Sequence, residues 1–289
     1  MTSSWMIVAG FMFAAMGVFV KLGAAQFDSA ELAFYRSALS FAMVFAVMGM
    51  RGGTVRSKYL TAHILRGILG TTSLIAYFYA ITHLPLATAQ TLNYTSPIFL
   101  AIATTVVLRE PMSGALIAAI VLGFAGVALL LQPNFEEGKE AAAMLGLFSG
   151  ALSAWAYLAV RTLGRLGEPD GRVVFWFGLV ASVICAAWQL ATSTFHPVRW
   201  DNAWILAGVG ACGTLAQLAM TRAYRTGDTL VVGALSYSTI IFATAATLVL
   251  WSERLQPLEW LGMAVIVLSG IVAMRMEKKE QVEEAGFES

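Results

Sequence analysis

The chain contains one apolar unit twice. Residues 67–110 align without a gap with residues 210–253, and 13 of the 44 aligned pairs are identical. The identical positions include Gly67, Gly70 and Thr71 near the start of the unit, and Tyr94 and Phe99 further along. Apolar chains built from two copies of one unit are typical of membrane transporters, whose substrate site lies between the repeats. The duplication therefore predicts a bundle made of two related halves.

The composition indicates a membrane protein. Only 12% of the residues are charged and 58% are hydrophobic, whereas a soluble domain carries about 25% charged residues. The apolar residues form runs of about 20, the length that crosses a hydrocarbon core. A net charge of +1 gives no reason to expect a nucleic-acid partner. Cys185 and Cys212 lie within apolar runs, which favours buried thiols over a disulfide or a metal site. We expect an all-α membrane protein whose surroundings are the lipid bilayer.

Turn residues divide the chain into ten predicted transmembrane helices. The helices are expected near residues 5–23, 31–49, 61–82, 84–108, 113–131, 142–164, 172–192, 203–225, 229–251 and 258–275. The duplicated helices are the third with the eighth and the fourth with the ninth. This shift of five is odd, so each copy crosses the membrane in the opposite direction from its partner. The sequence predicts two inverted five-helix repeats, at 1–140 and 141–275, followed by a cytoplasmic tail at 276–289.

The distribution of lysine and arginine predicts the orientation. One set of loops and adjoining helix ends carries Arg51, Arg56, Lys58, Arg66, Arg109, Arg161, Arg165, Arg172, Arg222, Arg225, Arg275, Lys278 and Lys279. The opposite set carries Lys21, Arg36, Lys139, Arg199 and Arg254. Because basic residues are enriched on the cytoplasmic side, we expect both termini in the cytoplasm. The expected location is a plasma membrane, with a bacterial inner membrane favoured.

Polar side chains at the midpoint of the fourth helix predict the substrate cavity. Gln90, Asn93, Tyr94 and Pro97 recur at three- and four-residue spacing and share one helix face. Pro97 also frees a backbone carbonyl at membrane depth, which then needs a partner or a cavity. The alternative is that such side chains only hold helices together. The other predicted substrate-binding residues are Tyr77, Trp155, Tyr157, Gln217, Ser236 and Tyr237.

Charged residues restrict the coupling mechanism. The middle third of each predicted helix lacks Asp and Glu, so the midplane carboxylate of a common proton relay is missing. The mechanisms that remain are facilitated diffusion, exchange, and coupling through residues at the mouth. We expect Lys21, Arg36 and Arg161 to be mouth charges. Arg36 lies about 9 Å into its helix and is expected to snorkel to the outer interface; alternatively, Arg36 and Lys21 attract an anionic group. The three histidines lack metal-ligand spacing and no Walker A motif is present, so neither a metal nor a cofactor is predicted.

These features together resemble the EamA-type drug/metabolite transporter superfamily over about residues 5–275. The likeness comes from motifs in a fixed order, namely the segments at 31–36 and 84–89, Pro97, and Glu110-Pro and Glu253-Arg at two helix ends. The resemblance implies ten helices in inverted halves around a cavity that opens alternately to each side. It also implies that helices three, four, eight and nine line the cavity, with one and six as gates. His63–Gly67 resembles the branch that includes S-adenosylmethionine uptake carriers.

The expected function is secondary transport of a small organic metabolite by alternating access. An amino acid or a derivative is the favoured cargo, and export the favoured direction. The alternative is uptake or exchange of a nucleoside-type metabolite such as S-adenosylmethionine. An intramembrane enzyme is the competing class, but the sequence lacks the motifs of zinc and serine hydrolases and any midplane carboxylate pair. We therefore expect a non-enzyme that is a monomer or a weak homodimer.

Overall fold

The computed structural model describes residues 2–84, 86–108, 113–132, 138–251 and 256–287, and within them the chain forms helices and no strand. The helices are α1 (Trp5–Gly23), α2 (Ser29–Met50), α3 (Leu60–His83), α4 (Leu86–Asn93), α5 (Ser96–Leu108), α6 (Gly114–Leu131), α7 (Glu140–Arg165), α8 (Asp170–Thr192), α9 (Trp200–Thr226), α10 (Thr229–Ser236), α11 (Ser238–Trp251) and α12 (Pro257–Phe287). The all-α prediction is confirmed for this part of the chain. The motifs at Pro85, Glu110 and Glu253 lie outside it.

Seven stretches of the described chain are long and apolar enough to cross a membrane. They are α1, α2, α6, α7, α8, α9 and the continuous stretch Thr229–Leu250. A shorter apolar stretch, Pro257–Ala273, forms the first part of α12. The protein is therefore a multi-pass membrane protein. The helix α12 continues into the predicted tail as far as Phe287.

The predicted fourth helix is interrupted near the middle, so the expectation of a continuous helix there is wrong, whereas the predicted ninth helix is irregular at a single residue. In the fourth, α4 ends at Asn93 and α5 begins at Ser96. Pro97 has no N–H to donate to the carbonyl of Asn93, and the Thr95 hydroxyl donates to the Leu92 carbonyl at 2.5 Å. The ninth helix breaks at Tyr237 without any proline.

A glycine of another helix lies against each break. A Cβ on Gly150 of α7 would lie 2.9 Å from the Leu92 carbonyl oxygen and 3.0 Å from that of Asn93. A Cβ on Gly10 of α1 would lie 3.1 Å from the backbone nitrogen of Thr239. Small residues allow such close approach between helices in membranes. The two glycines therefore let α7 and α1 approach the interrupted backbones.

The most extensive helix contacts join the first part of the chain to the second. The helix α1 packs along α9, α2 along α8, α3 along α7, and α6 along α12. Between α6 and α12 the backbones almost touch, because a Cβ on Gly262 would lie 2.7 Å from the carbonyl oxygen of Gly126. The two parts of the chain are therefore interleaved. Side chains from both parts can face the same interior region.

Candidate functional site

Polar side chains connect α3, α4 and α7 beside the first helix break. The Tyr77 hydroxyl and the Gln90 side chain form a hydrogen bond between α3 and α4. The side-chain amide of Asn93 donates to Ser149 Oγ of α7 at 2.9 Å. The structure therefore brings three sequence-predicted site residues together at the depth where α4 ends.

Three buried serines, which we call the serine track (Ser73, Ser149 and Ser153), continue this set along α7. The Ser73 hydroxyl donates to the Ser149 carbonyl at 2.8 Å, and its oxygen lies 2.7 Å from Ser153 Oγ. The predicted site residue Tyr157 lies one turn further and forms a hydrogen bond with Ser153. Hydroxyl groups both donate and accept, so the track can pass hydrogen bonds on to a ligand. Nothing in the sequence pattern distinguished these serines from helix-packing residues.

Two arginines, which we call the arginine pair (Arg36 of α2 and Arg66 of α3), meet at Phe177 of α8. Their guanidinium carbons lie 5.8 Å and 4.0 Å from the centroid of that ring. Arg36 Nη2 also donates to Gln217 Oε1 of α9 at 3.3 Å. Tyr157 lies close enough to interact electrostatically with both cations. The expectation that Arg36 snorkels to the outer interface is therefore wrong, because the bundle offers the guanidinium a ring face and an amide.

Arg66 is the main residue that sequence reasoning missed. We expected it among the charges of inner helix ends, yet it is only 2% exposed. A signal was present in the repeat, because Gly70 follows one turn later and a Cβ there would clash with Arg66 Nη1. The matching glycine of the second copy, Gly213, lies against Arg36, because a Cβ there would lie 3.2 Å from Arg36 Cγ. The repeated glycines thus make room for the arginine pair.

The second helix break places the two repeated tyrosines near each other. The ring centroids of Tyr94 and Tyr237 are 6.3 Å apart, and the Tyr94 hydroxyl forms a hydrogen bond with Thr239. Tyr237 is fully buried, and its hydroxyl is without a hydrogen-bond partner in the described part of the chain. The Ser236 hydroxyl donates at 2.6 Å to the carbonyl of Gly233 in its own helix. Tyr237 thus brings a buried hydroxyl without a partner among the described residues to the second helix break.

The remaining predicted site residues lie elsewhere. Trp155 is 45% exposed, on the part of the α7 surface that faces away from the serine track. Lys21 is exposed on the last turn of α1, and Arg161 is half-buried near the end of α7. Their roles stay predictions.

A buried carboxylate joins helix ends on one side of the bundle. Glu168, between α7 and α8, accepts hydrogen bonds from Ser57 Oγ at 2.7 Å, His63 Nε2 at 3.2 Å and Arg172 Nη1 at 2.9 Å. Burial raises the pKa of Glu168, but these three hydrogen bonds outweigh it and hold the pKa below its ordinary value. His63, near the start of α3, is fully buried. The carboxylate is thus charged near neutral pH and links the start of α3 to the start of α8.

A second buried carboxylate, Glu31, likewise holds chain segments together at the opposite end of the bundle. Glu31 of α2 accepts from the backbone N–H of His196 at 2.6 Å and lies 2.7 Å from its Nδ1. This hydrogen bond raises the pKa of His196 above its ordinary value. Asp28 brings a third potential metal ligand within 4.8 Å of these groups. However, Glu31 also accepts from the Asp28 N–H at 3.2 Å and completes a helix cap, so helix capping accounts for the cluster.

Comparisons with known proteins find similar chains and a similar fold. The pseudopaline exporter CntI of Pseudomonas aeruginosa is 29% identical over 273 residues, which cover 94% of this chain and 95% of that protein. A riboflavin transporter of Rhizobium johnstonii is 25% identical and covers 96% of this chain, with 92% of its own length matched. A solved crystal structure has the same fold, with a TM-score of 0.83 at 19% identity over 96% of this chain and 98% of that one.

The match to a family model covers nearly the whole chain. The model of the EamA-like transporter family matches residues 1–132 and again residues 141–275. The matched relatives are named as transporters. The resemblance inferred from the sequence motifs is thereby confirmed, and the protein belongs to the EamA-like transporter family.

Proposed function

We propose that this transporter exports a small organic metabolite by alternating access, with an amino acid or a derivative as the favoured cargo. One observation carries the proposal: the serine track, the arginine pair and the two helix breaks form a polar interior in an otherwise apolar bundle. Polar and charged groups are costly at membrane depth and mark substrate pathways. The relative named as an exporter supports the direction.

We further propose ten spans in two inverted halves, at 1–140 and 141–275, with the tail at 276–289. The packing supports this architecture, because a shift of five spans maps the contact of α1 with α9 onto that of α7 with α3. The same shift relates the two interrupted spans, which rest on Gly150 and Gly10. Ser3 packs against Gly227, which places the N-terminus at the end of the bundle where α9 finishes. We assign this end to the cytoplasm of a bacterial cell, together with the C-terminus.

The proposed transporter carries out no chemical step. We propose that it uses no cofactor, binds no nucleic acid and acts as a monomer or a weak homodimer. Catalysis needs a nucleophile or an acid–base pair at the substrate. The serine track is engaged in hydrogen bonds with other hydroxyls, an amide and backbone carbonyls, without a base beside it in the described residues.

A nucleoside-type metabolite, taken up or exchanged, is the second candidate. Relatives named as riboflavin transporters support this candidate, because riboflavin and nucleosides both join a planar heterocycle to a hydroxylated group. The aromatic rings of Tyr94, Tyr157 and Tyr237 could stack on such a heterocycle. The cargo of this chain is therefore tested against both classes.

Counterflow in proteoliposomes tests the proposal. Full-length protein is reconstituted and challenged with a panel of amino acids and nucleoside-type metabolites, with and without a pH gradient. We expect exchange of an amino acid or derivative, and loss of that exchange in the variant that combines Asn93→Ala with Tyr94→Phe. The control is Tyr59→Phe, an exposed tyrosine at the start of α3, which should exchange like the wild type. Unchanged exchange in the double variant would place the site elsewhere.

A further inference from the structure

The arginine pair carries two positive charges into the bundle without an anionic partner. Arg66 is 2% exposed, and its Nε and Nη1 find no hydrogen-bond acceptor, nor does Nε of Arg36. Among the described residues, neither guanidinium is in an ion pair with a carboxylate. Groups that interact with the pair electrostatically are Tyr157 and Cys185, besides the arginines themselves. The pair is therefore a concentrated, unneutralised positive charge.

The known neighbours do not account for this arrangement. Removing a cation from water costs far more than a ring face such as that of Phe177 returns. Two like charges in a medium of low dielectric constant also repel each other. Gln217 offers Arg36 one neutral acceptor. An anion between the guanidiniums would remove both penalties.

The position of the pair suits a transported anion. Arg36 lies about 10 Å from the start of α2, and Arg66 about 9 Å from the start of α3. These helices begin at opposite ends of the bundle, at the contact of Glu31 with His196 and the contact of His63 with Glu168. Both side chains thus reach Phe177 from opposite sides of the membrane. An anion held there would be at a depth that either opening of the transporter can expose.

The arginine pair breaks the internal symmetry. At the offset of 143 residues, the second copy has Val209 where the first has Arg66, directly before the aligned segment. The glycines that make room for the arginines, Gly70 and Gly213, are kept in both copies. The doubled fold therefore does not require the charges. A feature that only one half carries serves the cargo rather than the scaffold.

We infer that the arginine pair binds a carboxylate group of the transported metabolite, an inference that rests on the proposed function. Guanidinium groups bind carboxylates through strong charge-assisted hydrogen bonds, and the unpartnered nitrogens Arg66 Nε and Nη1 are donors of this kind. Gln217 and Tyr157 lie beside the same two side chains. The cargo is thus a small organic anion whose carboxylate lies at Phe177.

Thermal unfolding of the purified full-length protein tests the site directly. The probes are sodium glutamate and sodium succinate, with sodium chloride at equal ionic strength for comparison and sodium phosphate to detect a site for any oxyanion. The variants are Arg36→Met and Arg66→Met. The matched control is Arg222→Met, an exposed arginine whose guanidinium carbon lies 4.7 Å from the ring centroid of Trp5.

Two results are expected. A carboxylate should raise the unfolding temperature saturably in the wild type and the control, and each pair variant should weaken its binding about tenfold or more. Without any probe, the pair variants should unfold at a higher temperature than the wild type, because each removes an unpaired buried charge. Since this second readout needs no cargo, it tests the site even if glutamate and succinate are not transported.

Several outcomes would overturn the inference. The first is that chloride or phosphate stabilises the wild type as much as the carboxylates do. The second is that both pair variants, without any probe, unfold at a lower temperature than the wild type. Counterflow separates this failure from that of the proposed function. If exchange of the identified cargo is unchanged in both pair variants, the site is wrong and the transporter stands. If carboxylates bind through the pair but no metabolite exchanges, the proposed transport is wrong and the site stands.

Discussion

The contact between Gly150 and the first helix break offers a sharp test of how the site is held. Replacing Gly150 with alanine would put a methyl group 2.9 Å from the Leu92 carbonyl oxygen and 3.0 Å from that of Asn93. Both are backbone atoms, which cannot rotate away as the end of a long side chain would. The break, and the Asn93 amide that binds Ser149, must therefore shift away from α7.

The expected magnitude follows from two opposing effects. Alanine stabilises a helix over glycine by about 0.5–1 kcal/mol, whereas extra volume in a packed interior costs about 1–3 kcal/mol. The variant should thus lose about 1–2 kcal/mol of unfolding free energy. Gly17 of α1 is the matched control, because a Cβ there would have no neighbour within 4 Å. Gly17→Ala should leave stability unchanged or raise it by up to about 1 kcal/mol.

Thermal unfolding and counterflow of the two variants, measured side by side, check this reasoning. Gly150→Ala should unfold at a lower temperature than Gly17→Ala, and its exchange rate should fall because Asn93 has moved. If Gly150→Ala matched Gly17→Ala in both stability and exchange, α7 would not position the break, and the site would need another explanation.

Three further expectations concern the ends of the bundle. Glu168→Gln should lower the free energy of unfolding by about 3 kcal/mol, because it leaves buried donors without their charged acceptor. The control is the exposed Glu140→Gln, which should unfold like the wild type. Because its carboxylate partner raises the pKa of His196, the contact is complete below the ordinary histidine pKa and is lost as pH rises through the raised value. The difference in unfolding temperature between the wild type and His196→Gln should therefore shrink from about pH 5 to about pH 9, and a constant difference would contradict it. Reporter fusions at Leu84 and Gly227 should lie on opposite sides of the membrane; the same side for both would refute inversion.

Part of the candidate site could be predicted because its signal is local. Gln90, Asn93 and Tyr94 stand out as polar residues at the middle of an apolar run, and the structure places Gln90 and Asn93 against α3 and α7. Arg66 could not be found in this way, since a charge near a helix end normally reaches the interface. Its burial depends on the space above Gly70 and on the ring of Phe177, which the chain brings together only when folded.

The sequence by itself determined the class of protein and its duplication, because apolar length and an internal repeat are properties of the chain before it folds. It also singled out Pro97, since a proline lacks an N–H donor wherever it lies and frees a backbone carbonyl at membrane depth. Only the tertiary structure decided that the second copy breaks at Tyr237, where no proline is present and Gly10 of a distant helix lies against the backbone. It likewise turned Arg36 inward, because the direction of a long flexible side chain depends on partners that other helices supply.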